Sequence, residues 1–325
     1  MATDLLNSRK NHGLLGFFKK NIAIVTGLIV LCVVLSFASP YFLTRHNIMT
    51  LLRQISTNAV LTLGMMMCIM IGGIDLSMAS VVALSGTLTA VLISRLGMSI
   101  PMAIILGLAS GAVCGLFSGL FIAYVKVPAF IATMAVMNVA RGAAYLATNA
   151  NPVRITLDAF NNLGIGFVAG VPLPVIYTIV LVILVALFLN KTRMGRYIYA
   201  VGGNFEAARY SGINVKAVQI TVHVLSGFLA AFAGIVLAAR MYSGQPAVAT
   251  GWELDAVAAS VLGGISLFGG TGSVASAMIG VLIIGVLQNG LNLLNVNSFW
   301  QLIVKGIVIL IAVSFDMIRS RKADK

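Results

Sequence analysis

Charge is scarce in this chain: 9% of its residues are Asp, Glu, Lys or Arg, while 60% are hydrophobic. A soluble domain of 325 residues could not bury that much apolar surface, which excludes an ordinary water-soluble fold and places the chain in a bilayer. Acids are the rarer sign, 8 against 21 basic residues, and the apolar stretch from Ile22 to Leu146 holds Asp75 as its only one. Of the 3 histidines only His223 falls in an apolar run, so the intramembrane relay groups of a proton- or ion-coupled carrier are scarce, which weakens that class. The 3 cysteines, Cys32, Cys68 and Cys114, sit in apolar runs without metal-ligand spacing, so neither a disulfide framework nor a metal site is expected. Gly-Lys never occurs as a dipeptide, so no G-x-x-x-x-G-K-[ST] loop exists. The glycines of Phe268–Ser273 (FGGTGS) lack both the lysine and the strand needed to cradle phosphate. With His12, His46 and His223 in a tail, a loop and an apolar run, no nucleophile–base triad can be assembled. The chain is therefore expected to be no enzyme by itself and to bind no cofactor.

What is present is a series of apolar runs: 22–38, 59–72, 77–93, 101–124, 128–146, 174–189, 215–239, 255–268, 274–294 and 299–313. Each is close to the ~20 residues a helix needs to cross ~30 Å of hydrocarbon. They predict an all-α integral membrane protein of about ten helices, the runs at 59–72 and 255–268 being the shortest. The first run ends in SFASPYF, without a small-x-small cleavage site, and is taken as an uncleaved span rather than a signal. The net charge of +13 would suggest nucleic acid in a soluble protein, but its placement argues for topology instead. Threading the runs from an inside amino terminus gathers Arg9, Lys10, Lys19, Lys20, Lys126, Lys191, Arg193, Arg196, Arg209, Lys216, Arg319, Arg321, Lys322 and Lys325 on one side. Arg45, Arg53, Arg95, Arg154 and Arg240 fall near the other. That bias orients basic loops to the cytoplasm. One permease domain, 1–325, is expected, with cytoplasmic tails at 1–21 and 316–325 and the longest cytoplasmic loop at 191–214.

Two pieces match at equal spacing: Asp75–Val81 and Asp255–Val261 both read D-x-x-x-A-S-V, and the threading opens the third and eighth spans with them. Two five-helix halves of opposite orientation, an inverted repeat, would produce that pattern, as would coincidence among small residues. Gly107, Gly111, Gly115 and Gly119 recur every fourth residue and bare a backbone stripe for close helix packing, a theme that Ser226, Gly227, Gly234, Gly280, Gly285 and Gly290 continue. Charges at membrane depth need a reason. Asp75, Ser77, Arg141, Glu253, Asp255, Asn289 and Asn292 are candidates for a translocation path. The alternative is structural: Arg141 or Lys305 paired with an acid, and the amides Asn289 and Asn292 cross-linking helices.

The loop KTRMGRYIYAVGGNFEAARYSGINV, Lys191 to Val215, interrupts this apolar sequence with basic residues. Within it Asn204 is a preferred helix cap, Glu206 and Arg209 suit the two ends of a helix dipole, and Gly212 suits the left-handed closing residue. They predict a helix of about two turns, too short to persist without contacts, after a bend at Gly202 and Gly203. It is either a knob for a separate motor subunit or a loop helix packed on its own bundle. GGIDLSMAS, the 191–215 loop and ELDAVAASVLGGISLFGGTGS together resemble the permease subunits of bacterial ABC importers for monosaccharides. Glu206, Ala207 and Ala208 with Gly212 resemble the E-A-A-x-x-x-G core that such permeases offer to their ATPases, although the downstream I-x-L-P is absent.

The resemblance implies a type-II-like permease fold in the bacterial inner membrane and a second copy or sister permease beside the chain. It further implies cytoplasmic ATP-binding subunits that carry ATP and Mg, and a periplasmic binding protein that delivers a sugar, ribose foremost. Arg196, Gly202, Gly203, Asn204, Glu206, Ala207, Ala208, Arg209 and Gly212 would then form the ATPase-coupling loop. An ion-coupled secondary transporter of a small polar solute is the rival reading, and a membrane scaffold or receptor a further one.

Overall fold

The computed structural model describes residues 14–323, so parts of both expected tails, including Arg9, Lys10 and Lys325, lie outside the described residues. Thirteen α-helices are described: α1 Leu14–Ala38, α2 Arg45–Met70, α3 Met78–Ser94, α4 Ile100–Leu120, α5 Ala129–Thr148, α6 Asp158–Ile165, α7 Leu173–Lys191, α8 Arg193–Gly203, α9 Phe205–Tyr210, α10 Val215–Met241, α11 Trp252–Leu262, α12 Val274–Leu293 and α13 Ser298–Ala323. A π-helical turn, Phe121–Val125, extends α4. Four two-residue strands form two short antiparallel pairs, β1 Val153–Arg154 with β4 Ser243–Gly244, and β2 Phe167–Val168 with β3 Val171–Pro172. By length and composition α4 with its π-turn, α5, α7, α10 and α12 are each able to cross a membrane, and shorter apolar helices lie at 24–38, 78–94 and 298–311.

The connections sort the bundle into two ends. At one, the Gly270 amide donates to the Met70 carbonyl at 2.9 Å and the Tyr199 hydroxyl to the Gly272 carbonyl at 3.0 Å, joining the ends of α2 and α8 to the loop after α11. At the other, β1 pairs with β4, Ser94 Oγ donates to the Arg154 carbonyl at 2.8 Å, and an Arg53 guanidinium nitrogen donates to the Ile165 carbonyl at 3.2 Å. Successive long helices alternate between these ends.

α10 is the axis of the bundle, packed by α2, α3 and α4. The contact with α4 is backbone against backbone. A Cβ placed on Gly111 would overlap the Gly227 carbonyl, and one on Gly115 would overlap that of His223. With lipid tails as apolar as leucine, helices gain from such close approach rather than from hydrophobic exclusion, which is why the four-residue glycine spacing is found here.

Three elements differ from the sequence expectation. The helix expected at 59–72 begins at Arg45: Thr44 caps it by accepting from the Asn47 amide at 3.3 Å, and in its polar first half Asn47 bonds to Asn289 and Arg53 to the Ile165 carbonyl. The run expected at 255–268 is helical only over Trp252–Leu262, 11 residues or ~16 Å, about half a bilayer. Gly264, Gly269 and Gly270 all have positive φ, which stops the helix and turns the chain back. The segment from Asn149 to Val171, which falls between the expected runs 128–146 and 174–189, carries α6 and three of the short strands.

Replacing Gly115 by Val forces a branched side chain into the α4–α10 contact and is expected to cost ~3 kcal/mol. Thermal unfolding in detergent checks it, with Gly27→Val, whose Cβ would meet nothing within 4 Å, as the silent control.

Candidate functional site

The 191–214 loop folds into two helices. Thr192 caps α8 by accepting from the Gly195 amide at 3.0 Å, and Gly195, Ile198 and Val201 turn its one buried face inward. Sequence reading missed α8, although its cap and buried periodicity were both there to be read. Burial raises the Tyr199 phenol above its ordinary pKa, in keeping with a hydroxyl spent on the Gly272 carbonyl. At the end of α8 a Cβ on Gly202 would overlap the Met70 carbonyl and approach the Gly270 amide at 2.5 Å. The glycines of the 268–273 stretch therefore cradle backbone, not phosphate.

Asn204 then turns the chain, with extended φ −157° and ψ 106°, and its side chain accepts from the Ala207 amide at 2.8 Å to open α9. Gly212, at φ +81°, closes it, and the Ile213 amide donates to the Ala208 carbonyl at 3.1 Å. The cap and the closing glycine stand where the sequence indicated. Ala208 is the buried residue of α9; Gly203, Glu206, Ala207, Arg209 and, on α8, Arg196 are exposed. Glu206 and Arg209 pair at 3.5 Å with side chains 57% and 61% exposed, a contact worth little by itself. Phe205 and Tyr210 are 43% and 82% exposed, so α9 presents two aromatics flanking a charge pair. Behind it a cavity of about 790 Å³ opens between α9, the π-turn of α4 and the first turns of α5 and α10, with Lys126, Lys216 and Gln219 on its wall.

The candidate path residues are not brought together. Asp75, 1% exposed, accepts from the Ser77 amide at 3.0 Å, the Ser77 hydroxyl at 2.5 Å and the Ser226 hydroxyl at 2.6 Å, which ties the start of α3 to α10. Asp255 on α11 pairs with Lys305 on α13 at 2.8 Å. Asn289 and Asn47 exchange amide bonds at 2.8 and 3.0 Å between α12 and α2, and Asn292 accepts from Gln301 at 2.9 Å. Those residues cross-link helices. Arg141 donates to the carbonyls of Pro246 and Val248 at 2.7 and 2.8 Å, and Glu253 keeps one buried carboxylate oxygen without a hydrogen-bond partner. Among the described residues no cluster of His, Cys, Asp and Glu could hold a metal ion.

Residues 47–313 match the family described as branched-chain amino acid transport system / permease component. Among curated proteins, the chain is 46% identical over 294 residues to the ribose import permease protein RbsC of Escherichia coli K12, covering 89% of this chain and 91% of that protein. It is 46% identical over 296 residues to RbsC of Bacillus subtilis, covering 90% and 92%. With the L-arabinose ABC transporter permease protein AraH of Azospirillum brasilense it shares 39% identity over 296 residues, covering 91% and 87%. No solved structure matches the chain.

The Asp255–Lys305 pair gives a test independent of those likenesses. Lys305→Ala strands a buried carboxylate and is expected to cost ~3–5 kcal/mol. Adding Asp255→Ala should restore more than half of the lost unfolding temperature in detergent, and a double variant as unstable as the single one would show that the pair does not hold α11 to α13.

Proposed function

The chain belongs to the branched-chain amino acid transport system permease component family, and from that premise we propose that it is the membrane-spanning subunit of an ABC importer that moves a monosaccharide, ribose or a related pentose, into the cytoplasm. The family's printed description names amino acids, but the relatives that cover about nine tenths of the chain are named for ribose and L-arabinose. Identity of 46% across that length favours the pentose.

The observation that carries the reading is α9: a capped, exposed helix of six residues on a rigid backbone junction. So short a helix is not stable alone. Its aromatic and charged surface suits the grip of a separate ATP-binding subunit, which would supply ATP and Mg. The α8–α9 end carries Lys126, Lys191, Arg193, Arg196, Arg209 and Lys216, and the N-terminal half of α1 and C-terminal half of α13 add Lys19, Lys20, Arg319, Arg321 and Lys322. Arg45, Arg53, Arg95, Arg154 and Arg240 stand toward the other. This asymmetry favours a cytoplasmic α8–α9 end in the inner membrane, with both termini inside. A binding protein would deliver sugar at the α6 end, and closure of the paired ATP-binding subunits would push on α9 and open the passage alternately to either side. One domain, 1–325, with a second permease copy beside it, completes the assembly. Asp75 and Asp255 are held by Ser226 and Lys305, which takes both out of the relay an ion-coupled carrier would need.

Glu206→Lys reverses the charge in the first turn of α9 and should abolish uptake while leaving the protein in the membrane. Sugar uptake in a deletion strain, with co-purification of the ATP-binding subunit, checks both; normal uptake by this variant removes α9 from the coupling role.

A further inference from the structure

The cavity of about 790 Å³ behind α9 carries an excess of positive charge. Lys126, Arg209 and Lys216 stand on its wall against one acid, Glu206, which is already paired with Arg209 at 3.5 Å. Among the described residues no carboxylate pairs with Lys126 or Lys216. The Lys216 Nζ lies instead 4.3 Å from the centroid of the Tyr124 ring, which holds that cation beside the π-turn of α4. Lys126 closes the same turn at φ +62°, a conformation glycine adopts at lower cost, so a lysine kept there points to a use for its charge. His223, fully buried, stands on the same wall. Its Nδ1 meets the Gln219 carbonyl at 2.8 Å, an atom that can only accept, so the bond assigns the ring proton to Nδ1 and leaves Nε2 of the neutral ring an acceptor. Among the described residues that Nε2 has no hydrogen-bond partner. A buried acceptor left open is costly, and one on a cavity wall suits a ligand that donates to it.

We infer that this cavity binds the headgroup of an anionic phospholipid that also carries a hydroxyl, of which phosphatidylglycerol is the simplest. Its phosphate would lie between Lys126 and Lys216, and its headgroup hydroxyl would donate to His223 Nε2. Lys216 and His223 sit two turns apart on one face of α10, ~10 Å along the axis, a span that a lysine side chain and a phosphoglycerol group cover together. A soluble phosphate ester of a polyol shares this chemistry. The surroundings favour the lipid: Phe121, Tyr124 and Val125 of the π-turn and Phe130 in the first turn of α5 are exposed, and they continue the apolar exterior along which acyl chains would run. Basic pockets between spanning helices near a membrane surface recognise lipid headgroups in this way. The site goes beyond the permease reading and does not depend on which solute is carried.

The test is native mass spectrometry of the full chain released from detergent micelles with phosphatidylglycerol, phosphatidylcholine or phosphatidate added at equal concentration. The parent should retain phosphatidylglycerol at least about tenfold better than phosphatidylcholine, and Lys126→Gln with Lys216→Gln should remove that preference. Lys191→Gln, an exposed lysine off the cavity wall, should keep it. Equal retention of both lipids by the parent, or a preference that survives the double variant, overturns the site. Retention of phosphatidate, which has no headgroup hydroxyl, at the level of phosphatidylglycerol overturns the part given to His223. Displacement of the lipid by an equal concentration of glycerol 3-phosphate would show a soluble ligand and overturn the lipid assignment. The readout is bound lipid, so the result stands apart from the permease reading.

Discussion

The hydrocarbon interior supplies no water, so every polar group placed there must find its partner within the protein. The structure answers in two ways. α4 and α10 meet backbone to backbone through glycines, and the few polar side chains are matched across helices. Asp75 joins α3 to α10 through Ser226, Asp255 joins α11 to α13 through Lys305, and Asn289 joins α12 to α2 through Asn47. Removing any one partner leaves the other stranded where nothing replaces it. Such a bundle moves as packed pieces, because close-packed contacts shift between discrete arrangements rather than deform.

That stiffness gives α9 its mechanical meaning. One extended residue, Asn204, separates it from α8, and the end of α8 rests on the Met70 carbonyl and the Gly269–Gly270 backbone with no side chain between. Met70 ends α2, and the glycine loop leads from α11 into α12. A displacement of α9 would therefore reach three helices through contacts too short to absorb it. The glycine-rich 268–273 stretch packs backbone against backbone on the ends of α2 and α8.

The sequence disclosed what is set locally. Asn204, Glu206, Arg209 and Gly212 sit within nine residues of one another and foretold α9 with its cap and its closing turn. Four glycines at regular spacing foretold the α4 seam. What escaped was set at long range. Arg53 and Asn47 made the start of α2 look like a loop, because their partners, Ile165, Phe167 and Asn289, lie more than 100 positions away. α11 ends early for a local reason, its positive-φ glycines, which hydropathy does not register. Candidate path residues were chosen by polarity alone, and in the fold Asp75, Asp255, Asn289 and Asn292 bond across helices.

The most direct measurement is the sidedness of α9. A cysteine introduced at Glu206, with Cys32, Cys68 and Cys114 replaced, can be challenged with a membrane-impermeant maleimide in vesicles of known orientation. Labelling in inverted vesicles and protection in right-side-out ones is the predicted result. Labelling from the outer face would contradict the account, since no cytoplasmic motor could then reach the helix.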